Sequence, residues 1–419
     1  MAPQTIEREK IASLDIVRRI LPWREQLATG FGTGHGNADL QLIDVLIVLL
    51  AAFYNPLVRS QRLIEALSSQ TWMQQQTGLE RVARSTLSDA LQRFDPEQLK
   101  PLIRQLTGQV AALGQRDPDL AGLTRQVIAA DGTYLNLAGE VLWALQCRRG
   151  HGQKSQARAR LDLQLDVQSF TLLEGRVSGQ EDSSEAAAFI KQLKAGVIYL
   201  VDRNFVHFGF LGAVLEKGSN FVMRCKKSVC FQVAQTRELC AKDKELSILR
   251  DESGTLSGPT SASNKGRSSR TCKPPTVLLR RVVVWDPSKN EEVMLLTDLL
   301  DVPAWVIAVL YRRRWLIELF LRFLKCTAAM NRPLSKSPQG ITLQLYVAMI
   351  ATLLLHLATG RKVSKYSLFW INAVAAGQAT WEQMEVGLAR IEREKTLEKA
   401  RLKRKKLLAP GLGAKKSSV

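Results

Sequence analysis

The sequence predicts a mixed α/β protein with helical regions before and after the α/β part, on three observations. The first 120 residues hold only helix-length apolar runs. From residue 126 short strand-like runs take over, some apolar throughout and some alternating. The last stretch returns to helix and ends in Lys and Arg. The chain therefore divides into a helical segment over 1–122, an α/β core begun over 123–218 and completed over 293–335, a β-rich insertion over 219–292, and a helical region with a basic tail over 336–419.

LQLIDVLIVLLAAFY (40–54) and LVRSQRLIEALSSQ (57–70) read as helices parted by Asn55-Pro56. RSTLSDALQRF (84–94) offers Ser85 or Thr86 as N-cap and exposes Arg84, Gln92 and Arg93, which suits a recognition helix or an ordinary member of a bundle. TGFGTGHGN (29–37) lacks the strand and Lys of a phosphate loop and reads as a flexible connection.

QVIAADGT (126–133) is a short apolar run ending in Asp131, and ARLDLQLDV (159–167) alternates, placing Asp162 and Asp166 on a solvated side. SFTLLEGRVSG (169–179) is a third strand. SSEAAAFIKQLKAG (183–196) reads as a helix with a Ser cap and a Gly stop, preceded by Asp182 in a loop. VIYLVD (197–202) is continuously apolar, as a strand covered on both faces must be, and ends in Asp202. NFVMRCKKSVCFQV and TVLLRRVVVWD are β-rich and flank a polar stretch over 253–275 that reads as a mobile loop. LLTDL (295–299) is again a strand, after which Pro303 opens a long helix, with Asp298 and Asp301 near its start.

The chain has 419 residues, with 59 Lys and Arg against 39 Asp and Glu, a formal charge of +20. That balance favours a polyanionic partner, nucleic acid first, although ribosomal proteins and binders of anionic membranes share it. The six cysteines form no C-x-x-C pair and have no His at metal-ligand spacing, as fits a reduced cytoplasm, and MAPQTIEREKIASLD lacks the apolar core of a signal peptide. ITLQLYVAMIATLLLHLAT (341–359) approaches membrane-spanning length, but Gln344, His356, basic flanks on both sides and the lack of a second span favour a buried core helix.

The chemistry concentrates in YRRRWLIELFLRFLK (311–325). On an α-helix Tyr311, Arg314, Glu318, Arg322 and Lys325 fall within roughly an 80° sector. Large apolar residues surround this stripe, so Glu318 reads as buried and needs a partner. Arg314 or Arg322 can supply one through an ion pair. Asp131 and Asp202, at the ends of buried strands, suggest another: three carboxylates at a sheet edge are the hard oxygen donors that two Mg²⁺ ions require, with Mn²⁺ able to substitute. Arg314, Arg322 and Lys325 would then hold phosphates, and Tyr311 would bond or stack on a nucleotide.

Tyr311, Arg314, Glu318 and Lys325 match in full the Y-(2)-R-(3)-E-(6)-K signature, and together with DGT (131–133), YLVDRNF (199–205) and LLTDL the chain resembles bacterial insertion-sequence transposases of the insertion-sequence-four family over roughly residues 125–330. The resemblance implies a ribonuclease-H-like core with Asp131, Asp202 and Glu318 as a metal-binding catalytic triad. It implies Tyr311, Arg314 and Lys325 as contacts to the element end, and a synaptic homodimer on double-stranded DNA in the bacterial nucleoid. Trp315 either packs on DNA or anchors the helix, and Trp285 is the candidate aromatic for a flipped base. Asn204 stands where many relatives carry glycine, and the first 120 residues show no family signature. A nuclease of the same core that cuts without joining, and a DNA-binding regulator descended from a transposase, are the alternatives.

Overall fold

The computed structural model describes residues 16–27, 40–55, 57–114, 118–120, 122–137, 141–147, 156–179, 185–225, 229–257, 275–327 and 333–408. The glycine-rich stretch 29–37, Asp182, residues 183–184, most of the polar stretch after 257 and the tail beyond 408 lie outside the described residues.

Ten strands form one sheet: β1 (Val127–Asn136), β2 (Leu145–Cys147), β3 (Gln156–Asp166), β4 (Thr171–Ser178), β5 (Ile198–Val201), β6 (Asn220–Arg224), β7 (Cys230–Thr236), β8 (Ile248–Ser257), β9 (Leu279–Asp286) and β10 (Glu291–Thr297). The order is β2-β3-β1-β5-β6-β10-β9-β8-β7, with β4 also paired to β3. β3 runs antiparallel to β1 with Asp131 opposite Leu163 and Gly132 opposite Asp162, whereas β5 is parallel to both β1 and β6. The strands of the β-rich stretch extend this sheet antiparallel from β6 through β10, and Ser253–Ser257 belong to β8 and not to a loop.

The helices are α1 (Leu42–Tyr54), α2 (Gln61–Ser68), α3 (Thr71–Thr77), α4 (Arg84–Arg93), α5 (Lys100–Ala112), α6 (Glu185–Ile190), α7 (Phe208–Glu216), α8 (Ala241–Glu245), α9 (Ala304–Arg313), α10 (Trp315–Arg322), α11 (Pro338–Thr359), α12 (Lys365–Ala375) and α13 (Trp381–Leu408). Alternate residues of β1 feed two cores, Val127 and Ala129 on one face and Ile128 and Ala130 on the other. β3 is covered on both faces along Ala159–Asp166, which corrects the solvated reading of Asp162 and Asp166: they are 0% and 7% exposed. Alternation alone does not reveal that α6 packs over the polar face of β3.

The apolar α11 packs against α1, α4, α5 and β4, with most of its length buried, and Tyr54 donates its hydroxyl to Ala351 O at 2.6 Å. Its hydrophobicity is thus used inside the protein. α4 begins at Arg84 with Ala83 as N-cap, so Ser85 and Thr86 lie within the helix; Arg84, Gln92 and Arg93 are exposed. α6 stops at Ile190, short of Gly196.

The helix opened by Pro303 is not continuous. α9 gives way at Arg314, where Arg314 N donates to Tyr311 O and Ile317 N to Arg314 O, the tighter i−3 pattern, before α10 resumes. A π turn over Phe323–Thr327 follows. The loop ahead of α9 is tied down by Arg280, which pairs with Asp251 through two hydrogen bonds of 2.7 and 2.6 Å and also donates to the carbonyl groups of Leu299 and Val302.

Candidate active site

Asp131 lies within β1, its carboxylate accepting Gly132 N at 2.9 Å, and is 18% exposed. Asp202 directly follows β5 and caps the short turn Arg203–Phe205 by accepting Asn204 N at 2.7 Å. Asn204 needs no positive φ there, so its replacement of glycine costs the turn nothing. Because β1 and β5 are adjacent and parallel, the two aspartates emerge toward the same edge.

Glu318 is brought to this edge by α10, which packs against β1. Its side chain is 29% exposed, so the expectation of a buried glutamate is corrected: the exposed stripe Arg312, Trp315, Leu319 and Arg322 runs beside it and lets solvent in. Glu318 has the expected ion-pair partner, accepting from Arg314 Nη2 one turn away. Arg314 Nη1 lies 3.6 Å from Asp131 Oδ2, so one guanidinium links carboxylates from a strand and a helix. Tyr311 lies beneath the same group, 5.7 Å from it, and is itself mostly buried.

The charges act on one another. Burial first, then the negative charges of Asp202 and Glu318, push Asp131 up to about 6, against the opposing pull of Arg314 and Gly132 N–H. A fourth carboxylate, Glu185 at the start of α6, is pushed up to about 7 by burial and by Asp131, Asp162 and Asp202, with Arg160 opposing. No periodicity marked it. It sits in a polar run whose sequence signals only a helix start. Asp162 is satisfied where it lies, accepting from Arg160 Nε at 2.8 Å and from Ser178 Oγ.

A cleft of about 540 Å³ opens beside Glu318, lined by Tyr311, Arg312, Arg314, Trp315, Trp285, Arg224 and Lys289 among others. The structure therefore brings Trp285, from β9, together with five residues of the predicted stretch, Tyr311, Arg312, Arg314, Trp315 and Glu318. Arg322 and Lys325 do not line it. Trp315 is 49% exposed, and Arg322 lies over its ring at 6.0 Å. Arg224 and Lys289 escaped the sequence reading because nothing in their local pattern separates them from surface cations.

Among the described residues no three His, Cys, Asp or Glu side chains stand in a ready-made metal-ligating arrangement. The donor chemistry nevertheless suits a divalent cation: carboxyl groups at Asp131 and Glu185 that burial, and then the neighbouring negative charges, push up, and a Glu185 Oε1 that is buried without a hydrogen-bond partner among the described residues.

Comparison with known proteins gives a consistent picture. The transposase DDE domain family matches residues 122–354, more than half of the chain. A protein of Sinorhizobium fredii named as a transposase, y4zB, is 31% identical over 167 residues, which cover 40% of this chain and 44% of that protein. A protein of Synechocystis named as a transposase for the insertion sequence element IS4SA is 43% identical over 51 residues, 12% of this chain and 15% of that protein. The matched segments span less than half the length of either relative.

Proposed function

Since the chain belongs to the transposase DDE domain family, we propose that it is a DNA transposase of the insertion-sequence-four kind, with Asp131, Asp202 and Glu318 as the catalytic carboxylates. The observation that carries this reading is that Asp131 and Asp202 come from adjacent parallel strands while Arg314 joins Asp131 to Glu318, though the three carboxylates come from two strands and a helix far apart in sequence. The complete Y-(2)-R-(3)-E-(6)-K spacing supports it. So does the strand order β4-β3-β1-β5-β6, antiparallel then parallel, which suits a ribonuclease-H-like core.

Asp131, Asp202 and Glu318 would hold two Mg²⁺ ions, which when bound activate the attacking oxygen and stabilise the leaving one. The protein's own side chains do the rest. Arg314, paired with two carboxylates, is the group best placed to exchange them for a phosphate of the element end. Tyr311, Arg312, Arg224 and Lys289 line the same cleft and offer further contacts, Trp285 offers a face for an unstacked base, and Trp315 stands exposed at the rim. Arg322 and Lys325 continue the basic line beyond it.

In this reading residues 1–122 recognise the terminal inverted repeats, with α4 presenting Arg84, Gln92 and Arg93, and the basic segment of 336–419 follows phosphates. Two copies would meet on the paired ends. The test is incubation of the full-length protein with Mg²⁺ and labelled DNA carrying the repeats that border the reading frame. Released 3′ ends joined to a target plasmid support a transposase. Cutting without joining indicates a nuclease, and retention without cutting indicates a DNA-binding regulator.

A further inference from the structure

Glu185 has no part in the three-carboxylate scheme, yet its position is tightly specified. Gly132, the residue after Asp131, faces it: a Cβ built on Gly132 would lie 2.5 Å from Glu185 Oε1 and 3.1 Å from Asp162 Oδ1. The bare backbone of Gly132 is therefore a cradle that admits the Glu185 carboxylate beside β1. Its neighbours on this face differ in one respect. Asp162 is neutralised by Arg160 and bonded by Ser178, whereas Glu185 Oε1 is buried with no hydrogen-bond partner among the described residues. A buried carboxylate oxygen left without a donor carries a desolvation cost that no hydrogen bond among the described residues offsets. A ligand of positive charge beside Asp131 would offset it.

We propose that Glu185 is a fourth carboxylate of the cation site, adding an oxygen ligand beside Asp131 from the face of the sheet opposite Arg314. This rests on the reading of Asp131 as a metal ligand. Of the four acids, Asp131 and Glu318 are held by Arg314, while Glu185 Oε1 accepts no hydrogen bond among the described residues, so that oxygen is open to an incoming metal. A divalent cation bound there would bridge β1 and α6, fixing the start of that helix against the sheet.

The test is Mn²⁺ binding to the full-length protein without DNA, measured by calorimetry and by electron paramagnetic resonance of the free ion, for wild type, Glu185→Gln, Glu185→Asp and Asp131→Asn. Thermal melting in chelator checks that each variant is folded. The proposal expects Glu185→Gln to weaken Mn²⁺ binding at least tenfold, Glu185→Asp to restore part of it, and Asp131→Asn to weaken it further. Wild-type affinity in Glu185→Gln with a loss in Asp131→Asn overturns the fourth ligand alone. Unchanged affinity in both overturns the metal reading of the site, and the fourth ligand with it. Should Glu185→Gln fail to fold, Gly132→Ala, whose new methyl must push the Glu185 carboxylate aside, is read in its place with the same expected loss and the same overturning result.

Discussion

Arg314 Nη1 lies 3.6 Å from Asp131 Oδ2, a contact between the break in the signature helix and the middle of β1. With the Arg314–Glu318 pair it holds two of the three catalytic candidates around one guanidinium. Removing that cation leaves Asp131 and Glu318 facing each other across a partly buried space. Arg314→Ala is expected to abolish cleavage and to weaken binding to element ends, measured by electrophoretic retention. Arg314→Lys should recover binding in part but little cleavage, because a point charge cannot span two carboxylates or clasp a phosphate bidentately. Wild-type cleavage by Arg314→Ala would remove this residue from the site.

Gly132 and Glu185 should behave as one unit. Gly132→Ala forces the Glu185 carboxylate aside, so the double variant Gly132→Ala, Glu185→Gln is expected to lose no more activity than the worse single variant. Additive losses in cleavage rate would show that the two positions act separately.

Glu185 also gives the metal-free protein a pH signature. Its carboxyl titrates near 4.5 when unfolded and about 7 in the fold. The folded state thus holds the proton more tightly, and stability falls as pH rises through this window, being least affected below 4.5 and fully reduced above 7. The cost is on the order of 3 kcal/mol at most. In chelator, Glu185→Gln should melt with wild type in acid and above it at alkaline pH; a difference that does not change with pH contradicts this.

Much of the site was legible in the sequence, for particular reasons. Asp131 and Asp202 end apolar runs, although only Asp202 lies at a strand end: β1 continues past Asp131 to Asn136, against the expectation that both aspartates close their strands. Tyr311, Arg314 and Glu318 repeat at helical spacing and do share a cleft. The helix break at Arg314 was not legible, because no Gly or Pro stands near it to mark the change to the i−3 pattern. Glu185 was hidden because its role depends on Gly132, a contact across 53 positions that no local pattern encodes. The burial of Asp162 was missed for a related reason: the strand alternates, but α6 covers its polar side.

The position of α9, and through it of Arg314, depends on the Arg280–Asp251 pair, 3% and 4% exposed. Asp251→Ala leaves a buried guanidinium without its carboxylate and is expected to cost about 3–5 kcal/mol in chemical denaturation. A cost below about 1 kcal/mol, within the range of exposed pairs, would show that the loop before α9 is held by other contacts.

The central claim is that Asp131, Asp202 and Glu318 perform phosphodiester cleavage. The most direct measurement is Mg²⁺-dependent release of 3′ ends from a plasmid carrying the bordered element, with Asp131→Asn, Asp202→Asn and Glu318→Gln beside wild type. Each variant is predicted to cut at least about 10³-fold more slowly while still binding the ends. Wild-type cutting by any one of the three would contradict the assignment.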